Sequence, residues 1–309
     1  MTQVERRGAR GWGAAFVAAS LALVTSACAP GVVSPSSPTP EVTSTEHATQ
    51  NIDLNDEIAA LEDQSGARIG VYAIDTGSAE VVAYRGDERF AYVSTFKALL
   101  AAAVLQKFKD LDRVVTYPAE ALVDHSPVTE QYVGTGMSIR DLAEATVRTS
   151  DNTAANLLLD QLGGPQGSAA VLAEAGDDTT QPVRTEPDLN TAAPGDPRDT
   201  STPRALVTTL RGFAFGGLLG QEPSATLIDW MSGNATGDTL IRAGAPRGAV
   251  VADKSGAGGH GTRNDIGIVW PTDGDPIVIA ILTTRDAPDA PRDDALVAEV
   301  AATVLGGTD

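Results

Sequence analysis

The chain has 309 residues, 42% of them hydrophobic and 20% charged, the composition of a folded globular protein. Its formal net charge of -19 repels phosphate, which excludes nucleic acid as a partner and disfavours anionic lipid headgroups for the folded body. A single cysteine, Cys28, rules out an intramolecular disulfide, and three scattered histidines offer no ligand spacing for zinc, so no metal or other cofactor is expected.

In chain order, residues 1–28 read as an export signal: Arg6, Arg7 and Arg10, then an apolar run from Trp12 to Val24 that is too short for a comfortable membrane span. Its end, TSAC, resembles a bacterial lipobox, with Thr25 where that box usually carries leucine; the resemblance implies lipidation of Cys28. The alternative is that Cys28 belongs to a discarded signal. Arg6 and Arg7 suggest a twin-arginine route, though their neighbours fit it poorly. Residues 29–50 are rich in Pro, Ser and Thr and bury too little to offset their ordering entropy, so they predict a flexible tether in which His47 is idle. The expected protein is exported, monomeric, and in contact with the membrane only through Cys28, on the outer face of the cytoplasmic membrane or in the periplasm, with partial secretion as the alternative.

Residues 51–309 form the expected folded body. DLNDEIAALEDQ, with early acids and apolar residues at helical spacing, predicts a first helix. RIGVYAIDTGSAEVVAYRGDERF holds two β-rich runs around Thr76-Gly77-Ser78, a hairpin. GAVVADKSG, DIGIVWP and PIVIAILTT predict three late strands, the last two joined by Thr272-Asp273-Gly274-Asp275, and DDALVAEVAATVL predicts a closing helix. Strands at both ends with helical patterns between them imply an α+β fold, an α/β sandwich. Its antiparallel sheet of about five strands is assembled from both termini and flanked by helices. The α/β part covers about 51–85 and 232–309, and a mostly helical part covers about 86–231, with the active site between them.

Chemistry concentrates in short segments. The chain has four lysines against eighteen arginines, and one of the four opens the oily helical stretch STFKALLAAAVL, where Ser94 and Lys97 share a face at i and i+3. Alone, Ser94 reads as a helix cap and Lys97 as a solvated charge. A serine nucleophile needs a base, and no histidine stands in a serine-hydrolase motif, so serine chemistry here would need lysine. Ser150-Asp151-Asn152 begins another helix pattern, and Lys254-Ser255-Gly256 ends a strand pattern. Singly, these are a cap and a turn; together S-x-x-K, S-D-N and K-[ST]-G, once each and in this order, are the signature of class A β-lactamases and penicillin-binding proteins.

The chain resembles a class A serine β-lactamase over essentially all of Ile52 to Leu305. RTEPDLN is similar to the segment in which a glutamate and an asparagine hold a water, matching Glu186 and Asn190; Arg184 and Asp199 match the ion pair that ties the ends of the Ω loop. The resemblance implies Ser94 as nucleophile, Lys97 and Glu186 as proton carriers with the acylation base open between them, and Ser150 as relay to the leaving nitrogen. It further implies an oxyanion hole at the backbone N–H groups of Ser94 and Ala257, beside Gly256. Asn152 is implied to meet the substrate side-chain amide, His125 to stand as gatekeeper, and Lys254, Ser255 and Arg263 to clamp the substrate carboxylate. The implied partners are small β-lactams and a catalytic water, and the implied reaction is hydrolysis of penicillins and cephalosporins through an acyl-enzyme, conferring resistance. Departures are Ser255 for the commoner threonine, and Val93 and Gly258 at the two ends of a disulfide found in one carbapenemase group, which lowers the expectation of carbapenem turnover. A D,D-peptidase on the same fold is the alternative, disfavoured by Glu186; a non-catalytic β-lactam sensor is the third reading.

Overall fold

The computed structural model describes residues 51–306, so the export signal, Cys28 and the tether with His47 lie outside the described residues. Helix α1 (Asn55–Ser65) carries Asp56 and Glu57 in its first turn, where negative charge suits the helix dipole, and stops at Gly66 in the left-handed region. Strands β1 (Arg68–Asp75) and β2 (Val81–Tyr84) form the expected hairpin. Asp75 Oδ1 holds its turn by accepting from the backbone N–H groups of Gly77 (2.8 Å) and Ser78 (2.7 Å). β2 is shorter than its β-rich run: Arg85 turns into the left-handed region and ends the pairing.

The chain then crosses into helices. The short strand β3 (Phe90–Ala91) leads through a 3-10 turn, Val93–Thr95, into α2 (Phe96–Lys107). Strands β4 (Val114–Val115) and β5 (Met137–Ser138) pair with each other ahead of α3 (Ile139–Arg148), α4 (Asn152–Leu162) and α5 (Gly164–Glu174). β6 (Thr200–Ser201) pairs back on β3 and is followed by α6 (Pro203–Ala214), α7 (Gln221–Ser232) and the single turn α8 (Ile241–Gly244). Strands β7 (Val250–Ala257), β8 (Arg263–Trp270) and β9 (Ile277–Thr284) and helix α9 (Asp294–Gly306) complete the described chain.

The five long strands form one antiparallel sheet in the order β2-β1-β9-β8-β7. The last strand, β9, pairs directly with the first, Tyr72 opposite Ala280, so the sheet joins both ends of the described chain. Side-chain alternation sorts its residues into two cores. Tyr72, Val278, Ala280 and Leu282 pack toward the helical side, whereas Val71, Ala73, Ile277, Ile279 and Ile281 pack with residues of α1 and α9. Because both faces are covered, β9 reads as a continuous apolar run rather than an alternating one.

Helix α2 lies at the centre of the helical side. Every residue from Phe96 to Leu105 is buried, which is what a helix apolar on all faces requires. Lys97 is the one charge inside that run. A buried ammonium needs partners, and those partners define the site.

Candidate active site

Val93 takes φ +45°, a costly conformation for a β-branched residue, and turns the chain so that Ser94 precedes α2. The hydroxyl of Ser94 does not cap that helix: its Oγ donates to Glu186 Oε1 at 3.4 Å. One turn in, Lys97 Nζ lies 2.9 Å from the same Glu186 oxygen and donates to the Ser150 carbonyl (2.7 Å), Ser150 Oγ (3.3 Å) and Asn152 Oδ1 (2.5 Å). Burial pulls the Lys97 ammonium below the ordinary lysine range, while the charge and hydrogen bond of Glu186, and then the charge of Asp151, pull it back up.

The Ser150–Asn152 segment is shaped by Asp151. Its Oδ1 caps α4 at Ala154 N (2.8 Å) and also accepts from Thr129 Oγ1 (2.9 Å), while Oδ2 accepts from the backbone N–H groups of Val128 and Thr129, both at 3.0 Å. Ser150, at φ +57°, meets Lys97 through both its carbonyl and its hydroxyl. Asn152 is occupied at both ends, since Nδ2 donates to the Asp124 carbonyl (2.8 Å) while Oδ1 serves Lys97. His125 stands exposed at the cleft mouth, its Nε2 3.0 Å from the Thr149 carbonyl and its own carbonyl accepting from Asn152 N at 3.0 Å.

Glu186 is held as firmly by its backbone as by its carboxylate. Its N–H donates to Asn156 Oδ1 (2.8 Å), and Asn156 Nδ2 donates to its carbonyl (2.9 Å). Asn190 Nδ2 donates to Glu186 Oε2. The loop ends meet at Asp199, which is fully buried; its Oδ1 accepts from Val183 N (2.8 Å), Arg184 N (2.9 Å) and Tyr92 Oη (3.1 Å), and its Oδ2 pairs with Arg184 Nε at 2.5 Å. Asn156 went unnoticed in the sequence; the available signal was an asparagine four residues after Asn152, on the same face of its helix.

The opposite wall is β7. A Cβ on Gly256 would come within 3.1 Å of Ser94 N and 2.6 Å of Val93 Cγ2, so only glycine lets this strand pass so close to the nucleophile. Gly258 is equally constrained, a Cβ there lying 2.7 Å from the Asn190 carbonyl. Lys254 is fully buried and donates to the Ser255 carbonyl at 2.8 Å; burial first, and then the charge of Lys97, lower its pKa to about 7 against the pull of Asp265, Asp253 and Glu186. Ser255 Oγ lies 2.6 Å from Thr236 Oγ1, a residue absent from the sequence-based site.

Arg263 reaches the cleft already engaged. Its Nε and Nη2 meet the Asp294 carboxylate at 2.6 and 3.1 Å, a bidentate pair with the first turn of α9. Arg292, also missed in the sequence, lines the same end of the cleft and is exposed.

All the expected residues outside the masked segment therefore surround one cleft of about 520 Å3, which Ser94, His125, Ser150, Asn152, Asn190, Ser255, Gly256, Ala257 and Arg263 line, with Lys97, Glu186 and Lys254 buried beside it. A larger cavity of about 850 Å3 lies between Arg68, Phe90 and Pro194 and contains none of these groups, so chemistry rather than volume marks the site. Among the described residues no cluster of histidine, cysteine, aspartate and glutamate is placed to hold a metal ion.

A serine beside two buried lysines, a second serine and a buried glutamate, on an antiparallel sheet facing a helical layer, defines a serine acyl-transfer enzyme that moves protons without histidine. The model of the β-lactamase enzyme family matches residues 53–307. A β-lactamase of Bacillus amyloliquefaciens is 55% identical over 253 residues, covering 81% of this chain and 83% of that protein, and one of Amycolatopsis lactamdurans is 53% identical over 258 residues, covering 82% and 85%. The crystal structure of a class A β-lactamase from Clostridium kluyveri superposes with a TM-score of 0.81 at 49% identity, covering 82% of this chain and 98% of that one. The chain belongs to the β-lactamase enzyme family, in its class A serine branch.

Proposed function

We propose that the chain hydrolyses the β-lactam ring of penicillins and cephalosporins through an acyl-enzyme on Ser94, and so confers resistance to these drugs. The observation that carries the reading is the placement of one buried carboxylate, Glu186, against both Ser94 Oγ (3.4 Å) and Lys97 Nζ (2.9 Å), with Asn190 on its other oxygen.

In the first step Ser94 Oγ bonds to the lactam carbonyl carbon and the ring C–N bond breaks. The serine proton passes to Glu186, the acceptor its hydroxyl already faces, and the leaving nitrogen takes a proton from Ser150, which Lys97 resupplies across 3.3 Å; Glu186 then hands its proton to Lys97 across 2.9 Å, so that the carboxylate is free again before water is activated. The oxyanion meets the backbone N–H groups of Ser94 and Ala257; the close passage of β7 at Gly256 supports that pairing. In the second step Glu186 takes a proton from water, whose oxygen bonds to the acyl carbon, and Ser94 leaves with its proton restored. Asn190 Oδ1 is buried with no protein partner among the described residues, an acceptor suited to a water between it and Glu186.

Lys254, Ser255 and Arg263 would face the substrate carboxylate, His125 the mouth, and Asn152 the side-chain amide, provided Asn152 Nδ2 exchanges the Asp124 carbonyl for substrate. A D,D-peptidase would lack the reason for a buried Glu186 with its asparagine. One assay with a chromogenic cephalosporin decides: many turnovers are expected, whereas a single stoichiometric burst would indicate a D,D-peptidase and no reaction a sensor.

The same reading makes the protein an exported monomer anchored through a lipid on Cys28. The support is TSAC at the end of the apolar run. Replacing Cys28 by serine should move activity from the membrane fraction to the medium, and an unchanged distribution would sink the anchor.

A further inference from the structure

The cleft holds one cation that the clamp described above does not use. Two arginines line it, Arg263 and Arg292. Arg263 has a side chain only 13% exposed and is bound at two points by Asp294. Arg292 is exposed and makes no direct ion pair or hydrogen bond with any described residue, although its charge acts on the Asp294 carboxylate that Arg263 holds. The two carboxylates that follow it in sequence are committed elsewhere, Asp293 to Arg285 at 3.2 Å and Asp294 to Arg263 at 2.6 Å. The lysines deeper in the site are buried, Lys97 against Glu186 and Lys254 against the Ser255 carbonyl.

An anionic substrate must approach a chain of net charge -19. At physiological ionic strength that repulsion is screened beyond about 8 Å, so the charge at the cleft lip governs the last step of approach. A free guanidinium there offers two parallel donors to a carboxylate, at no cost of breaking an existing pair.

We propose that Arg292 captures the carboxylate of incoming substrate at the lip of the cleft and passes it to Ser255 and Lys254, making it a specificity residue for anionic β-lactams. This rests on the hydrolytic reading. Arg263, held by Asp294, then serves as a fixed wall rather than as the first contact. The rate term affected is the encounter, so the effect belongs in kcat/KM and in its dependence on salt.

The test compares wild type, Arg292→Gln and Arg292→Lys on one penicillin, as the free acid and as its methyl ester, at low and high ionic strength. Steering by a single charge should make Arg292→Gln about threefold to tenfold slower in kcat/KM on the acid at low salt, flatten its salt response and lower the acid-to-ester preference. Arg292→Lys should retain most of the salt response. Equal losses on acid and ester would assign Arg292 a structural role and overturn the proposal. So would an unchanged salt slope in Arg292→Gln, or a slope abolished instead by Arg263→Gln. A wild-type protein that hydrolysed neither form would sink the hydrolytic reading and this proposal with it, whereas normal wild-type turnover with an indifferent Arg292→Gln would sink only the capture role.

Discussion

The two walls of the cleft each bury one lysine and treat it differently. On the helical wall Lys97 has its counter-ion supplied, the Glu186 carboxylate at 2.9 Å with neither side chain more than 2% exposed. On the sheet wall Lys254 has no ion pair among the described residues; its nearest acceptor is a backbone carbonyl at 2.8 Å, and its pKa is drawn down to about 7. A buried charge is tolerated when something balances it. The helical wall is therefore complete before substrate arrives, and the sheet wall is completed by the substrate's own carboxylate.

Removing the built-in carboxylate should have the largest effect. Glu186→Ala is expected to slow hydrolysis of the acyl-enzyme by about 10²–10⁴-fold, the usual worth of a general base, and to leave a covalent adduct on Ser94 visible by intact-protein mass. Penicillin turnover at the wild-type rate would refute the role assigned to Glu186. The pH profile of acylation in the same variant then reads Lys97 without its partner, and so separates the two candidate bases.

Next comes the latch that holds Glu186 in place. Asp199 is fully buried and binds Val183 N, Arg184 N, Tyr92 Oη and the Arg184 guanidinium. Asp199→Ala strands the buried end of that network, and a loss of about 3–5 kcal/mol in a urea titration is expected. Deacylation should suffer more than acylation, because the loop it frees carries Glu186 and not Ser94. Equal losses in both steps would mean that the loop supports the two walls alike.

The sheet wall answers to pH instead. A lysine with a folded-state pKa near 7, below its unfolded 10.5, is neutral in the free enzyme above about 7. Folding then binds fewer protons than the unfolded chain between these values, so this group's contribution to stability rises with pH across that window and is least favourable below it. For catalysis the sign is opposite, since capture of a carboxylate needs the charged form. The kcat/KM of a penicillin should decline as pH rises through about 7, while that of its methyl ester should not follow. A flat profile for the acid would mean that the arginines carry the carboxylate without Lys254.

How much of this was legible in the sequence follows the same division. The hairpin, the three late strands, α1, α2 and α9 stand where local pattern put them, because each carries its periodicity and its turn chemistry within a few residues. The S-x-x-K, S-D-N and K-[ST]-G segments were visible for the same reason. Glu186 and Asn190 were not: by local pattern alone they are polar residues in a proline-rich loop, and only the family resemblance gave them meaning. Asn156, Thr236 and Asp294 were missed because their partners are distant in sequence, 30 residues for Asn156 with Glu186, 19 for Thr236 with Ser255 and 31 for Asp294 with Arg263, and Arg292 because only the folded chain brings it to the cleft. The premature end of β2 was hidden too, since the left-handed turn at Arg85 has no glycine or asparagine to announce it.

The smallest expected effect tests whether the walls are independent. Asn234 Nδ2 donates to Asp253 Oδ1 at 2.8 Å, which turns its Oδ1 toward Thr236 as an acceptor at 2.7 Å. The Thr236 hydroxyl proton is thereby committed to Asn234, so across the 2.6 Å contact Ser255 must be the donor and Thr236 the acceptor. Thr236→Val keeps the shape of the side chain but removes that acceptor, leaving the Ser255 hydroxyl without the neighbour that fixes its direction. One neutral hydrogen bond is worth about 1 kcal/mol, so KM for a carboxylate substrate should rise by no more than about fivefold. Deacylation should keep its rate, because nothing on the helical wall has changed. If the deacylation rate fell in step with KM, the sheet wall would be steering Glu186 as well, and the separation of a preassembled proton machine from a substrate-completed clamp would have to be abandoned.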